Sequence, residues 1–260
     1  MFRHFKLKLV YCTKYFSYLL LLYSLQVCAQ DSTLVFDRPG IADSPYIVQH
    51  GETQIEGGYS FTNGFTGNDF FKPGIMLRKG LRKSAECRVA SFTLPQSYRY
   101  LKIIDSYRGN DFSLGVKQKI LREHKHIPET AMMFNTYYNF KFTSPTMLNE
   151  LSWELQLLFH HNFSDKIGLN YNLGILRAVK NTSTFLSQHT CLSISIWKGI
   201  GFFAENFNYY DAKSKFLEIS YDGGLVYAIK NYQFDLSYVA NHNENNVHYG
   251  SILVGFSAKL

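Results

Sequence analysis

The chain has 260 residues and an aromatic share of 17%, with 19 Tyr and 22 Phe against only 2 Trp. Its net charge is +7, but Arg3, Lys6, Lys8 and Lys14 carry more than half of that excess ahead of residue 15, and no Lys/Arg stripe follows. That distribution excludes a basic nucleic-acid face, while a mean hydropathy of −0.16 does not exclude a membrane barrel, in which only every second strand residue needs to be apolar.

The first segment, 1–29, has a basic start, an apolar stretch from Tyr15 to Val27, and small residues near Ala29. This is the order of a secretory signal peptide, cut ahead of Gln30. The apolar stretch is shorter than the roughly 20 residues of a spanning helix. Cys12 and Cys28 fall in or beside it, leaving Cys87 and Cys191. No CxxC and no metal-ligand spacing appears, so no cofactor is expected. Segment 30–52 contains Pro39 and Pro45, which argue against regular strand. It is expected on the periplasmic side, below the barrel or folded into its mouth, where Arg38 could reach Glu56 or Asp235.

From Thr53 to Leu260 the hydrophobic period is 2. In the first strand Ile55, Gly57, Tyr59 and Phe61 oppose Glu56, Gly58 and Ser60. Next, Ile75 and Leu77 oppose Met76 and Arg78; then Cys87 and Val89 oppose Glu86 and Arg88. Leu114, Val116 and Ile120 oppose Lys117 and Lys119, and Phe134 and Tyr138 oppose Asn135 and Tyr137. The second half is clearer. Leu151, Trp153, Leu155 and Leu157 oppose Glu154 and Gln156, and Leu169, Tyr171 and Leu173 oppose Asn170 and Asn172. Leu192 and Ile194 oppose Ser193, followed by Phe202 against Phe203 and Glu205. Tyr221, Leu225 and Tyr227 oppose Asp222, and Phe234, Leu236 and Tyr238 oppose Gln233 and Asp235. The final strand sets Ile252, Val254 and Phe256 against Ser251, Gly255 and Ser257.

These are twelve antiparallel strands with no helical stretch among them. Short connections (around Ser84, at Lys198-Gly199 and at Lys230-Asn231) alternate with longer ones (Thr62 to Lys72, Thr93 to Asp111 and later loops). An even count with alternating loop lengths predicts an all-β, closed, up-and-down transmembrane barrel over 53–260. Closure also answers how the chain can stop on the strand "YGSILVGFSAKL": it pairs with the first strand, and no edge remains. A soluble sandwich or lipocalin-like barrel has the same alternation with its polar face outward. The Gly, Ser and Asn on the polar face, with isolated charges, favour a lumen.

The stretch "DRPGIADSPYIVQHGETQIEGGYSF" resembles the opening of a family of bacterial outer-membrane transporters associated with the MetA pathway of phenol degradation. The matching residues are Asp37, Arg38, Pro39, Ser44, Pro45, Gly51, Gln54, Glu56, Gly58 and Tyr59, with "LRKGL", "LGVKQKIL" and "DGGLVYAIKNYQFDLSY" further on. The resemblance implies a Gram-negative outer-membrane location and a transport role. Its phenol substrate is not carried over.

The residues expected to line the lumen are Glu56, Arg78, Glu86, Arg88, Lys117, Lys119, Glu154, Gln156, Glu205, Asp222, Gln233 and Asp235. Their two readings are a hydrogen-bonded filling of a narrow barrel and a charged constriction that selects solutes. Twelve strands fall between the filled eight-stranded barrel and the aqueous sixteen-stranded one. The function expected is a porin-like channel or transporter for small, aromatic or hydrophobic solutes. The alternatives are a structural barrel with an occluded lumen, or an outer-membrane lipid hydrolase using His160, His161 or His189. Expected partners are outer-membrane lipid, the barrel-assembly machinery and a small solute, with no nucleic acid.

Overall fold

The structure is a computed structural model, which describes residues 36–37, 42–62, 70–92, 109–125, 127–141, 150–178, 184–243 and 248–260. Twelve strands follow one another: β1 (Thr53–Thr62), β2 (Phe70–Arg82), β3 (Ala85–Phe92), β4 (Gly109–Leu121), β5 (Glu129–Lys141), β6 (Glu150–Ser164), β7 (Ile167–Ala178), β8 (Thr184–Trp197), β9 (Ile200–Asp211), β10 (Phe216–Ile229), β11 (Tyr232–Asn243) and β12 (His248–Lys259). Each pairs antiparallel with its neighbours in sequence, and β1 pairs with β12, so the sheet is a closed barrel. Closure runs from Gln54↔Lys259 to Thr62↔Ser251, and the Leu260 amide adds a bond to the Thr53 carbonyl at 2.8 Å.

The turns at one end are tight. Lys198 and Lys230 take positive φ, and Gly199 sits at φ +82°, where a side chain would meet the Ala228 carbonyl oxygen. The connections at the other end differ more from expectation. β9 and β10 are joined by 212–215 alone, and β11 and β12 by 244–247, because the strands run further than their apolar alternation. Polar residues such as Asn241 and Asn243 still belong to β11. The loop expected from Thr93 to Asp111 narrows to 93–108, which lies outside the described residues.

The barrel is inside-out. Leu77, Val116, Leu157, Leu173, Leu225, Leu236 and Val254 point outward and stand half exposed, while Arg78, Glu86, Lys117 and Ser257 point inward and are fully buried. A soluble barrel has the reverse distribution, and so large a contiguous apolar surface is a lipid-facing surface. Tyr59, Tyr210, Tyr221 and Tyr238 stand outward toward the long-loop end, and Trp197, Tyr227 and Tyr232 toward the tight-turn end. These two girdles mark the bilayer interfaces. The two cysteines fall on opposite sides of the wall, Cys87 outward and Cys191 buried inward, and both are free thiols.

Leu173 lies near the middle of β7 on the lipid face. Leu173→Arg is expected to cost about 2–4 kcal/mol in denaturant unfolding from phospholipid vesicles, the range for a cation at the bilayer midplane. Replacing the turn residue Lys198 by Gln is expected to cost almost nothing.

Candidate functional site: a strap clasped in the lumen

The residues described just before β1 do not hang free of the barrel. Phe36, Asp37, Ala42, Ser44 and Val48 are buried, and Pro45 is among the most completely buried side chains. This strap, residues 36–37 and 42–52 among those described, enters the lumen at the tight-turn end. It then joins the sheet beside β2. His50 bridges Gly80 in parallel, the Gly51 amide donates to the Gly80 carbonyl at 3.1 Å, and the Gly80 amide donates to the Glu52 carbonyl at 3.1 Å. At Gly80 the β2–β3 register slips, so the strand's backbone groups are turned to serve the strap. A Cβ at Gly80 would lie 2.0 Å from the Gln49 carbonyl oxygen and 2.5 Å from that of Val48. Only glycine lets the two backbones approach so closely.

A cluster of buried charges holds the strap. Arg78 extends from β2 into the lumen, and its guanidinium donates to Glu56 Oε1 at 2.9 Å and to both Glu86 oxygens at 3.0 Å. It also lies 3.3 Å from Asp37 Oδ2. Asp37 is the strap's anion. Arg88 pairs with it, and Lys117 Nζ donates to it at 2.7 Å. Arg88 also binds Asp43 Oδ1 at 2.8 Å, and Lys117 donates to the Ser44 carbonyl at 2.7 Å. The Ser44 amide and hydroxyl close back on Asp37 Oδ1 at 3.1 and 2.8 Å. Glu86 Oε2 accepts the Val48 amide at 2.8 Å, and Glu205 accepts that of Ala42 from the far wall. The strap's backbone donors thus find carboxylates and its carbonyls find cations, which satisfies peptide groups that lie away from water. A buried charge that loses its partner costs about 3–5 kcal/mol, so the members of the clasp depend on one another.

Burial alone would raise the Asp37 carboxyl, but Arg78, Lys117 and Arg88 outweigh it and hold the group well below the usual carboxylate range. At Asp43 burial dominates over the attraction of Arg88 and pushes the carboxyl up.

The remaining inward residues divide by wall. Lys119 pairs with Glu129, and its Nζ lies 5.9 Å from the centre of the Tyr46 ring. That ring also meets His160, with centroids 5.1 Å apart, so the strap's tyrosine is held between two basic side chains. Glu154 accepts the Tyr137 hydroxyl at 2.6 Å and the Gln156 amide at 2.7 Å, and makes no ion pair among the described residues. Asp222 and Glu205 sit opposite one another on β10 and β9, and Gln233 and Asp235 are buried on β11. The structure therefore gathers Glu56, Arg78, Glu86, Arg88 and Lys117 into one clasp and leaves the other inward residues spread around the lumen. Asp37 and Ser44 of the opening motif enter the clasp and Pro45 packs beside it. Arg38 and Pro39 lie outside the described residues, and with them the contact of Arg38 to Glu56 or Asp235. Sequence reasoning missed Asp43, Tyr46 and the part played by Gly80; the glycine inside "LRKGL", flanked by bases, was the available signal.

His160 Nδ1 and Nε2 lie 2.7 and 3.1 Å from the side-chain oxygens of Asn170 and Asn162, and His161 pairs with Glu123. In neither of these contacts does the imidazole face a serine. Among the described residues no group of His, Cys, Asp and Glu is placed to hold a metal ion.

Beside the strap the lumen opens. A cavity of about 450 Å³ lies between Phe36, Ala42 and Tyr46 on one side and Asn170, Cys191, Ser193, Phe203, Val226 and Gln233 on the other. Ala42 of the strap packs against Cys191, Phe203 and Val226 in one apolar cluster, where the two sides of the cavity meet. Further along, Phe185, Phe207, Tyr209 and Val239 form a second cluster, with Leu176 and Leu253 packed against it.

These features define a membrane-spanning, twelve-stranded barrel whose lumen holds its own N-terminal strap. The family model described as "Putative MetA-pathway of phenol degradation" matches residues 36–254, and the chain belongs to that family. No curated protein matches. Solved structures of similar fold include the KdgM porin, at 11% identity and TM-score 0.55 over 79% of this chain and 98% of that one. The COG4313 outer membrane channel from Pseudomonas putida F1 is similar at 10% identity and TM-score 0.55, over 85% and 99%. The NanC porin is similar at 10% identity and TM-score 0.54, over 80% and 100%. At such identities the likeness is one of fold, and the fold is that of bacterial outer-membrane barrels.

Asp37 supports docking above the ordinary carboxylate pKa, near 3.9, and loses that effect only as pH falls through its depressed value. Asp43 has the opposite sign, since a raised pKa favours the docked state as pH falls toward the ordinary value. Strap docking is therefore expected to hold from pH 7 down to about pH 4 and to weaken only below that. Alkylation of Cys191, which packs against the strap, is the readout, in a chain whose other cysteines are serine, with each rate taken relative to that of the unfolded chain at the same pH, because only the thiolate reacts. Gly80→Ala is expected to raise the alkylation rate several-fold at pH 7, with the barrel still heat-modifiable on a gel.

Proposed function

We propose that this protein is a porin-like channel of the outer membrane for small solutes, with the strap as its periplasmic constriction. One observation carries the reading: the strap fills only one side of the tight-turn mouth, and a cavity of about 450 Å³ remains between it and the β7–β11 wall. A barrel built only as a scaffold has no physical need for that space, since side chains fill the interior of small barrels. A second observation agrees. Among the described residues Gln156 Oε1, both amide atoms of Asn172 and Glu218 Oε2 are buried on inward-facing side chains without a hydrogen-bond partner. Polar atoms buried in that way are suited to water or a polar solute group. Tight turns at the strap's end support a periplasmic position for that end, with the longer connections outside the cell.

Export by the segment 1–29, insertion by the barrel-assembly machinery and lipid as the surrounding partner complete the proposal. A lipid hydrolase is disfavoured by the asparagine partners of His160. Two features favour the rival reading of an occluded structural barrel: the strap itself and the second apolar cluster in the lumen.

Conductance in planar bilayers decides between them. Discrete, small, ohmic steps are expected for the native chain, and larger steps for Arg88→Ala, which removes a cation shared by Asp37 and Asp43. A heat-modifiable barrel that passes no current in either form would establish the structural role.

A further inference from the structure

The outer wall carries a polar patch where lipid-facing apolar side chains are expected. Gln188 and Thr190 face outward from β8, and Asn206 and Asn208 from β9, all four half-buried. The strand register sets Gln188 beside Asn208 and Thr190 beside Asn206, so they form one group across the two strands. Leu186 and Leu192 flank them along β8, and Ala204 and Tyr210 along β9. The patch therefore lies on the membrane side of the Tyr210 girdle, within the apolar band and not on a rim loop. Its members bond to one another. Asn208 Nδ2 donates to Asn206 Oδ1 at 2.7 Å and to Gln188 Oε1, and Gln188 Nε2 donates to the Thr190 hydroxyl. Asn206 Nδ2 donates to the Ser220 carbonyl at 3.2 Å and to Asn208 Oδ1 at 3.4 Å. Among the described residues these bonds leave over one Gln188 N–H and the Thr190 hydroxyl hydrogen, and each side-chain oxygen has a further lone pair. Such groups are costly against hydrocarbon, which offers them no partner.

We infer that this patch is the contact surface for a second copy of this chain, packed wall to wall about a two-fold axis along the membrane normal. Amides both donate and accept, so the patch is complementary to itself, as a two-fold interface requires. Two copies inserted the same way hold their patches at the same depth, and the axis brings the one onto the other. The surface beside the patch is also cut back. Ala204 pairs with Gly223 of β10, and both positions face outward. A Cβ at Gly223 would have the Phe203 carbonyl oxygen as its nearest neighbour, at 3.4 Å, so the barrel's own packing does not demand glycine there. Small residues beside polar ones let two walls approach closely, the pattern by which segments associate in a solvent as apolar as they are. A lipid headgroup would have to sink past Tyr210 to reach Asn206. A different protein would need a matching patch at this depth, which a second copy has by construction.

Disulfide linkage between copies tests this in native outer membranes. In a chain with all four native cysteines replaced by serine, single cysteines are placed at Leu192 or Ala204, which flank the patch, and at Leu77 or Val116 on strands across the barrel. Mild oxidation is expected to give a covalent dimer of this chain at one or both flanking positions, several-fold more than at Leu77 or Val116. In the flanking-cysteine chain, Asn206→Leu with Asn208→Leu should reduce linkage to the level of those controls while the barrel stays heat-modifiable. If that pair of substitutions prevents folding, Thr190→Val with Gln188→Leu removes the other half of the patch and the same loss is expected. No dimer at either flank, equal linkage at Val116, linkage to a different protein in place of a second copy, or linkage that survives loss of the amides overturns the inference.

Discussion

The bilayer's refusal of an unpaired peptide group governs this structure. Each backbone N–H and C=O in the hydrocarbon must find a partner within the protein, and a sheet can do this only by closing. The pairing of β1 with β12 is therefore the contact on which the others depend. It removes the last edge, fixes which residues face lipid, and turns the alternation of every strand into an inside and an outside. Once Leu77 faces lipid, Arg78 must face inward; the same holds for Val116 and Lys117.

That inversion creates a second requirement. Side chains such as Arg78, Glu86 and Lys117 are fully buried, in a lumen too narrow to hydrate them as bulk water would. Burying unpaired charges costs more than folding can supply. The strap resolves part of this, because it brings an anion, Asp37, to the place where Arg78, Arg88 and Lys117 converge. The dependence is mutual. Among its described residues the strap has no regular secondary structure, and Glu86, Glu205, Lys117 and the edge of β2 at Gly80 bind several of its amides and carbonyls. Strap and clasp are one polar core, built inside a barrel whose apolar surface points the other way.

The barrel was legible in the sequence because a lipid-facing sheet must obey a period of 2, and Leu151 to Leu157 or Tyr232 to Tyr238 obey it without exception. Strand ends were less legible. Near the rims the apolar alternation that marks a lipid-facing strand gives out, so Asn241 and Asn243 read as loop although they pair with β10 as part of β11. The inward charges were legible one by one from alternation, but their grouping was not, since sequence alone does not say which of several acids meets Arg78. The strap was least legible. Ser44, Pro45 and Val48 carry no periodic pattern, and their positions follow from single contacts with residues far along the chain. Gly80 marks the limit: it looks like any strand glycine until the Gln49 carbonyl is found in the space of its missing side chain.

A docked strap is the central claim, and a disulfide tests it most directly. Ala42 and Cys191 belong to the same buried cluster, whereas Cys87 is on the opposite side of the wall. Mild oxidation of the Ala42→Cys chain in native membranes should link position 42 to Cys191 and not to Cys87, seen by peptide mapping after digestion. Failure to form that link, or equal linkage to both cysteines, would contradict the account.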